Sequence, residues 1–239
     1  MQQRINAIPE ITKNLIIINV LMFMASSFTP WMSNNLSLYS FLSPNLRPYQ
    51  IVTHMFMHGN FMHLAFNMYG LYMFGSIIER IFGPKKYLFY YLATGLGAAF
   101  LQSGINYLEI QQAMQGFDSA AIQQITYKGA EAVLNNQNFT DPSWGNLNHL
   151  INGRMLGASG AIFGLLAAFG MIFPNQVIRL LFPPVALKAK YFVLLYGALE
   201  LYLGMTGKGA GVAHFAHLGG AVFGALIIIF WRKQGERFP

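Results

Sequence analysis

Ser159 lies in the element Gly157-Ala158-Ser159-Gly160, a G-x-S-G pattern that opens an apolar run. A serine hydroxyl becomes a competent nucleophile when a neighbouring base removes its proton. At the head of a helix its own N–H has no intrahelical acceptor, and such a donor can stabilise an oxyanion. Two segments carry the histidines that could serve as base. The first, THMFMHGNFMHLAFN, holds His54, His58, Asn60, His63 and Asn67; His63 and Asn67 are four apart and share a helix face. The second, GVAHFAHLGGAVFG, holds His214 and His217, with Gly220 and Gly224 three and seven positions beyond His217. The same residues have a plainer reading. Small residues let helices approach closely, and a histidine in an apolar segment often bonds to a neighbouring helix. Gly160 and Gly164 form one G-x-x-x-G surface, and Gly220 and Gly224 form another. If the two surfaces meet, Ser159 and His217 lie at similar depths beside them.

The elements that must position these residues are membrane helices. Of 239 residues, 54% are hydrophobic and 10% charged, against about 25% charged in an ordinary soluble domain. Six segments are apolar enough to span, at about 14–31, 51–79, 85–105, 156–174, 189–205 and 210–231. The stretch 106–153 is too polar to span and reads as a partly helical loop at the surface. The expected organisation is a segment 1–13, a six-helix membrane domain 14–231 with that external loop, and a tail 232–239. An even number of spans puts both termini on one side. That side holds eleven of the fifteen Lys and Arg residues, so both termini are expected in the cytoplasm. The N-terminal residues lack the marks of a signal or transit peptide, which leaves the bacterial cytoplasmic membrane as the expected location.

The net charge of +7 is spread over the ends of apolar runs rather than gathered in a patch, so nucleic acid is not an expected partner. Cysteine is absent, which excludes disulfides, zinc–thiolate sites and thiol catalysis. No metal site and no cofactor are expected.

HGNFMHLAFNMYG (58–70), GASG (157–160) and AHLGGAVFG (216–224), in this order on the second, fourth and sixth spans, resemble the rhomboid protease family. So do GSIIERIFG (75–83) and YYLATGLGAAFLQ (90–102). The likeness runs from about Tyr49 to Trp231 and excludes 106–153. It implies an all-α polytopic membrane protein, a six-transmembrane-helix rhomboid-like bundle. It also implies a serine endopeptidase that cuts single-span membrane proteins in or near their transmembrane segments, within the lipid bilayer. Ser159 and His217 would form the catalytic dyad, without an aspartate. His63 and Asn67 would hold the oxyanion with the Ser159 N–H. His58, Gly157, Gly160 and Gly220 would support the site. One departure is Tyr49-Gln50, where the family often has Trp-Arg. His214 competes for the role of base, and His217 is preferred because Gly220 and Gly224 lie on its face.

Two other classes compete with this reading. A non-catalytic relative that binds membrane helices would share the fold and lack the dyad. A transporter would show paired intramembrane charges, and only Glu200 sits well inside a span. Glu200 is expected near the outer end of its helix, reaching interfacial water. The glycine-rich stretch 204–211 is expected to be a lid or a connector, moving with Phe192, Leu195, Leu199 and Tyr202 of the fifth span.

Overall fold

The computed structural model describes residues 7–179, 185–207 and 212–239. Ten α-helices account for most of this. Helix α1 (Glu10–Phe28) starts four residues before the expected span. Its N-cap, Pro9, offers no side-chain acceptor, and a distant carboxylate does the capping instead. Glu79 accepts from the N–H groups of Ile11 (2.9 Å) and Thr12 (2.7 Å). That satisfies first-turn donors and places negative charge at the positive end of the helix dipole. After α1 come α2 (Pro30–Leu36) and α3 (Gln50–Thr53), the latter running into a 3-10 turn, His54–Phe56.

The second span begins at Phe61, not at 51. Asn60 caps helix α4 (Phe61–Gly70) by accepting from the His63 N–H at 2.9 Å. A short capping side chain ends the irregular segment before it and fixes the helical phase of His63 and Asn67. A π-turn, Leu71–Gly75, joins α4 to α5 (Ser76–Met114). Helix α5 breaks at Gly83, where φ is +73°, and Pro84 follows. Proline lacks the N–H of a helix interior but fits a first turn, so it starts a new arm. The break divides the 54-residue apolar helix Phe61–Met114 into the second and third spans.

Helices α6 (Ser119–Leu134) and α7 (Pro142–Asn152) occupy most of the stretch expected as a surface loop. Asp118 and Asp141 cap them, each accepting from N–H groups in the first turn. Ile125, Leu147 and Ile151 pack with Ile110 of α5 in a small fully buried cluster. This explains why α5 runs to Met114 instead of ending near 105. The segment is therefore an appended helical layer with its own core.

The central bundle is α8 (Ser159–Ile172), α9 (Ala189–Thr206), α10 (His214–Lys233) and both arms of the second and third spans. A two-stranded hairpin, β1 (Val177–Arg179) with β2 (Ala186–Lys188), leads into α9. Helix α8 is buried nearly all round, as an all-apolar central helix must be. The two glycine surfaces meet. A Cβ built on Gly220 would overlap the Gly160 carbonyl, and one on Gly224 would lie 3.0 Å from Gly164 Cα. Tyr90 donates to the Gly164 carbonyl at 2.7 Å from the third side of the same contact. α1, Phe61–Met114 and α10 are each long and apolar enough to cross a membrane, and with α8 and α9 they give the polytopic all-α membrane fold.

Candidate active site

The strand-like run before Ser159 is held on both edges. Leu38 and Met155 exchange backbone hydrogen bonds at 2.9 and 2.8 Å, and the Gly157 N–H donates to the His54 carbonyl at 2.9 Å. Gly157 has φ +124°, a region that side chains rarely adopt. A Cβ there would also lie 2.8 Å from His63 Nε2 and 3.6 Å from Ser159 Oγ. So Gly157 lets the chain turn and lets the His63 ring come up beside Ser159. Ser159 is the first residue of α8, where helical N–H groups have no intrahelical acceptor.

His217 Nε2 lies 2.8 Å from Ser159 Oγ. The imidazole stacks flat on Phe163, with ring centroids 4.3 Å apart and planes 6° apart. Phe163 is one turn beyond Ser159, so a single helix supplies both the hydroxyl and the plate that orients its partner. His214, the competing histidine, faces Glu200 instead: its Nδ1 is 2.7 Å from Glu200 Oε2.

Asn67 is buried one turn beyond His63, and its Nδ2 has no hydrogen-bond partner among the described residues. Leaving such a donor unmet costs about 1–3 kcal/mol, a cost consistent with an acceptor that arrives only with a substrate. His58 is buried beneath His63, ring edge to ring face at 5.1 Å, with neither ring nitrogen bonded to a described residue. His54 and His58 precede the second span. Burial pushes both imidazoles down to about 4, so both are neutral at physiological pH. A cavity of about 20 Å³ borders Ser159, Gly157, His54 and Ala213, room for one water.

Glu200 corrects a sequence expectation. It is 4% exposed, and it does not reach interfacial water. Its Oε2 lies between two imidazoles, 2.7 Å from His214 Nδ1 and 2.9 Å from His217 Nδ1. The His217 approach is close but bent, outside hydrogen-bond alignment. The three side chains present ligand atoms within 4.8 Å of one another, close enough to share a cation. The resemblance to a dyad family gave no reason to look for a carboxylate here, although Glu200 was the one acid well inside a span. Phe163 was also missed; its spacing of four from Ser159 was the available signal.

Gln50, in the departure Tyr49-Gln50, is fully buried. It accepts from the Arg47 N–H at 3.0 Å and donates to the carbonyls of Asn35 (3.0 Å) and Asn45 (3.1 Å). It knits the loop before α3 internally. The glycine-rich stretch is described only in part: Gly204 lies in α9 and Gly207 ends it with φ +64°, while 208–211 lie outside the described residues. Of the side chains expected to move with it, Leu195, Leu199 and Tyr202 are exposed on the outer face of α9. Phe192 instead packs against Tyr196, which packs against Phe163.

Residues 45–234 match the family model described as the Rhomboid domain. The Rhomboid protease AarA of Providencia stuartii is 30% identical over 178 residues, covering 73% of this chain and 53% of that protein. The RHOMBOID-like protein 12, mitochondrial, of Arabidopsis thaliana is 29% identical over 234 residues, covering 93% of this chain and 60% of that protein. The human Presenilin-associated rhomboid-like protein, mitochondrial, is 28% identical over 181 residues, covering 73% and 36%. The chain thus spans between a third and three fifths of the length of these relatives.

Proposed function

The chain belongs to the rhomboid family, and from that premise we propose that it is an intramembrane serine endopeptidase acting on single-span membrane proteins. The observation that carries this reading is the 2.8 Å approach of His217 Nε2 to Ser159 Oγ at the heads of two apolar helices. His217 takes the Ser159 proton, and Oγ attacks the scissile carbonyl. The Ser159 N–H, Asn67 Nδ2 and the His63 ring are the donors for the oxyanion. His217 then protonates the leaving amine. A water at Ser159, in a space such as the adjoining cavity, reverses the sequence to release the acyl group. His58 supports His63 from below, and Gly157, Gly160 and Gly220 allow the close approaches that the site requires.

A helical substrate hides its carbonyls in backbone hydrogen bonds, so the cleaved segment has to unwind locally. Substrates with glycine or other weak helix formers near the cut are expected. The excess of Lys and Arg on one side supports an orientation with both termini in the cytoplasm and the α6–α7 layer on the opposite side. The bacterial cytoplasmic membrane is the proposed location; the mitochondrial relatives make an organelle membrane the alternative to test.

The test is cleavage of a generic single-span substrate by the purified protein, with Ser159→Ala alongside. Cleavage that vanishes in Ser159→Ala, together with fluorophosphonate labelling of Ser159, is the expected result. Retained cleavage in that variant removes the serine mechanism.

A further inference from the structure

The resemblance leaves a serine and a histidine to work without an acid, yet a buried carboxylate lies against the far side of the histidine. We infer that Glu200 is a positioning residue for His217, so that the site works as a Ser159–His217–Glu200 relay. The inference rests on the reading of Ser159 and His217 given above.

A carboxylate inside a membrane bundle is costly unless it is partnered. Among the described residues, no Lys or Arg is paired with Glu200; its near neighbours are the Nδ1 atoms of His214 and His217. An ionised carboxylate can only accept, so a bare lone pair on either Nδ1 would face its oxygen repulsively, and both nitrogens are favoured as N–H. This assignment decides the tautomer of His217. With the proton on Nδ1, Nε2 presents its lone pair, and Nε2 is the nitrogen 2.8 Å from Ser159 Oγ. In the other tautomer Nε2–H would point at the hydroxyl, and the ring could not take its proton. Glu200 and Phe163 also divide the work of holding the ring. The stacked Phe163 sets its plane, and the carboxylate selects its rotation within that plane. The 2.9 Å separation is within hydrogen-bond reach while the alignment is not, and hydrogen bonds poorly aligned in a substrate-free site can tighten when substrate binds. As proton transfer proceeds, the carboxylate faces the developing imidazolium directly. His214 takes the second share of the same oxygen and anchors Glu200 from the other side.

Glu200→Gln keeps the shape but can offer an N–H to Nδ1, and Glu200→Leu removes the polar group. Glu200→Leu leaves the buried His214 Nδ1 without an acceptor, at a cost of about 1–3 kcal/mol, so Glu200→Gln, whose amide oxygen can still accept, keeps the test open if Glu200→Leu folds poorly. The experiment is steady-state cleavage of a single-span substrate by full-length purified protein, with thermal unfolding of each variant. Removing the orienting acid of a Ser–His–acid arrangement costs up to about 10⁴-fold in kcat, so a kcat loss of up to that factor, with KM little changed, is expected. Glu200→Asp, which keeps the carboxylate on a shorter arm, is expected to recover part of the loss. A well-folded Glu200→Gln or Glu200→Leu with the parent's kcat overturns the proposal, as does a loss confined to KM or to unfolding temperature. Chelator that abolishes parent activity, with zinc restoring it, would also overturn it, because the same trio would then be a metal site. Ser159→Ala is run beside them. An inactive Ser159→Ala with a fully active Glu200 variant sinks the relay alone, whereas an active Ser159→Ala sinks the serine mechanism itself.

Discussion

Ser159, His217 and Asn67 define what the site asks of single side chains. On the proposed mechanism the two groups act as one unit, so Ser159→Ala and His217→Ala are each expected to abolish cleavage, and the double variant to be no worse than either. Additive losses in single-turnover cleavage would show that they act separately. Asn67 Nδ2 is a buried donor without an acceptor among the described residues. Removing one oxyanion donor typically costs about 10²- to 10³-fold in kcat. Asn67→Ala is therefore expected to lose about that factor in kcat with little change in unfolding temperature. A wild-type kcat would assign the amide to structure.

Helices α8 and α10 meet through glycine, and this contact sets the distance between Ser159 and His217. A side chain at Gly220 would meet the Gly160 backbone, which cannot swing aside as a flexible side chain can. Overpacking a close contact costs typically about 1–3 kcal/mol. Gly220→Val is expected to reach at least the top of that range and to lose fluorophosphonate labelling in step with stability. Labelling at the parent rate would mean that the helices separate without moving the dyad. Helix α9 is held more loosely: only Ala189 and Glu200 along it are buried. Few buried contacts make an element easy to displace. Phe192→Ala, on the side that packs toward Tyr196 and Phe163, is expected to raise cleavage of a transmembrane substrate. Leu199→Ala, on the outer face, is expected to leave it unchanged. The reverse pattern would place the route of entry elsewhere.

At the scale of the whole molecule, the membrane sets the orientation. Reporter fusions at Lys85 and Lys188 are expected to report the cytoplasm, and fusions near Asp118 the opposite side. An inverted pattern would put the Ser159 end of the bundle on the cytoplasmic face. The α6–α7 layer has its own small core, joined to the bundle through Ile110 and to the loop before α3 through polar contacts such as Ser43 Oγ to Asn152 Oδ1 at 2.7 Å.

The sequence alone determined the membrane class, because so few charges over so much apolar chain leave no soluble alternative. It also determined the family and which glycines share a helix face, because spacing along a helix fixes that; the meeting of the two glycine faces was decided by the packing of α8 on α10. It could not place helix starts, which depended on capping groups: Asn60 moved the second span to Phe61, and Glu79, distant in sequence, moved α1 to Glu10. It could not show that the polar stretch 106–153 folds on Ile110, because that cluster joins residues from three separate helices. Above all, it could not place Glu200. A glutamate on a span has the same spacing whether it faces interfacial water or two imidazoles. Only the packing of α9 against α10 brings its carboxylate to His214 and His217, because contacts between helices depend on their mutual rotation, which no single helix encodes.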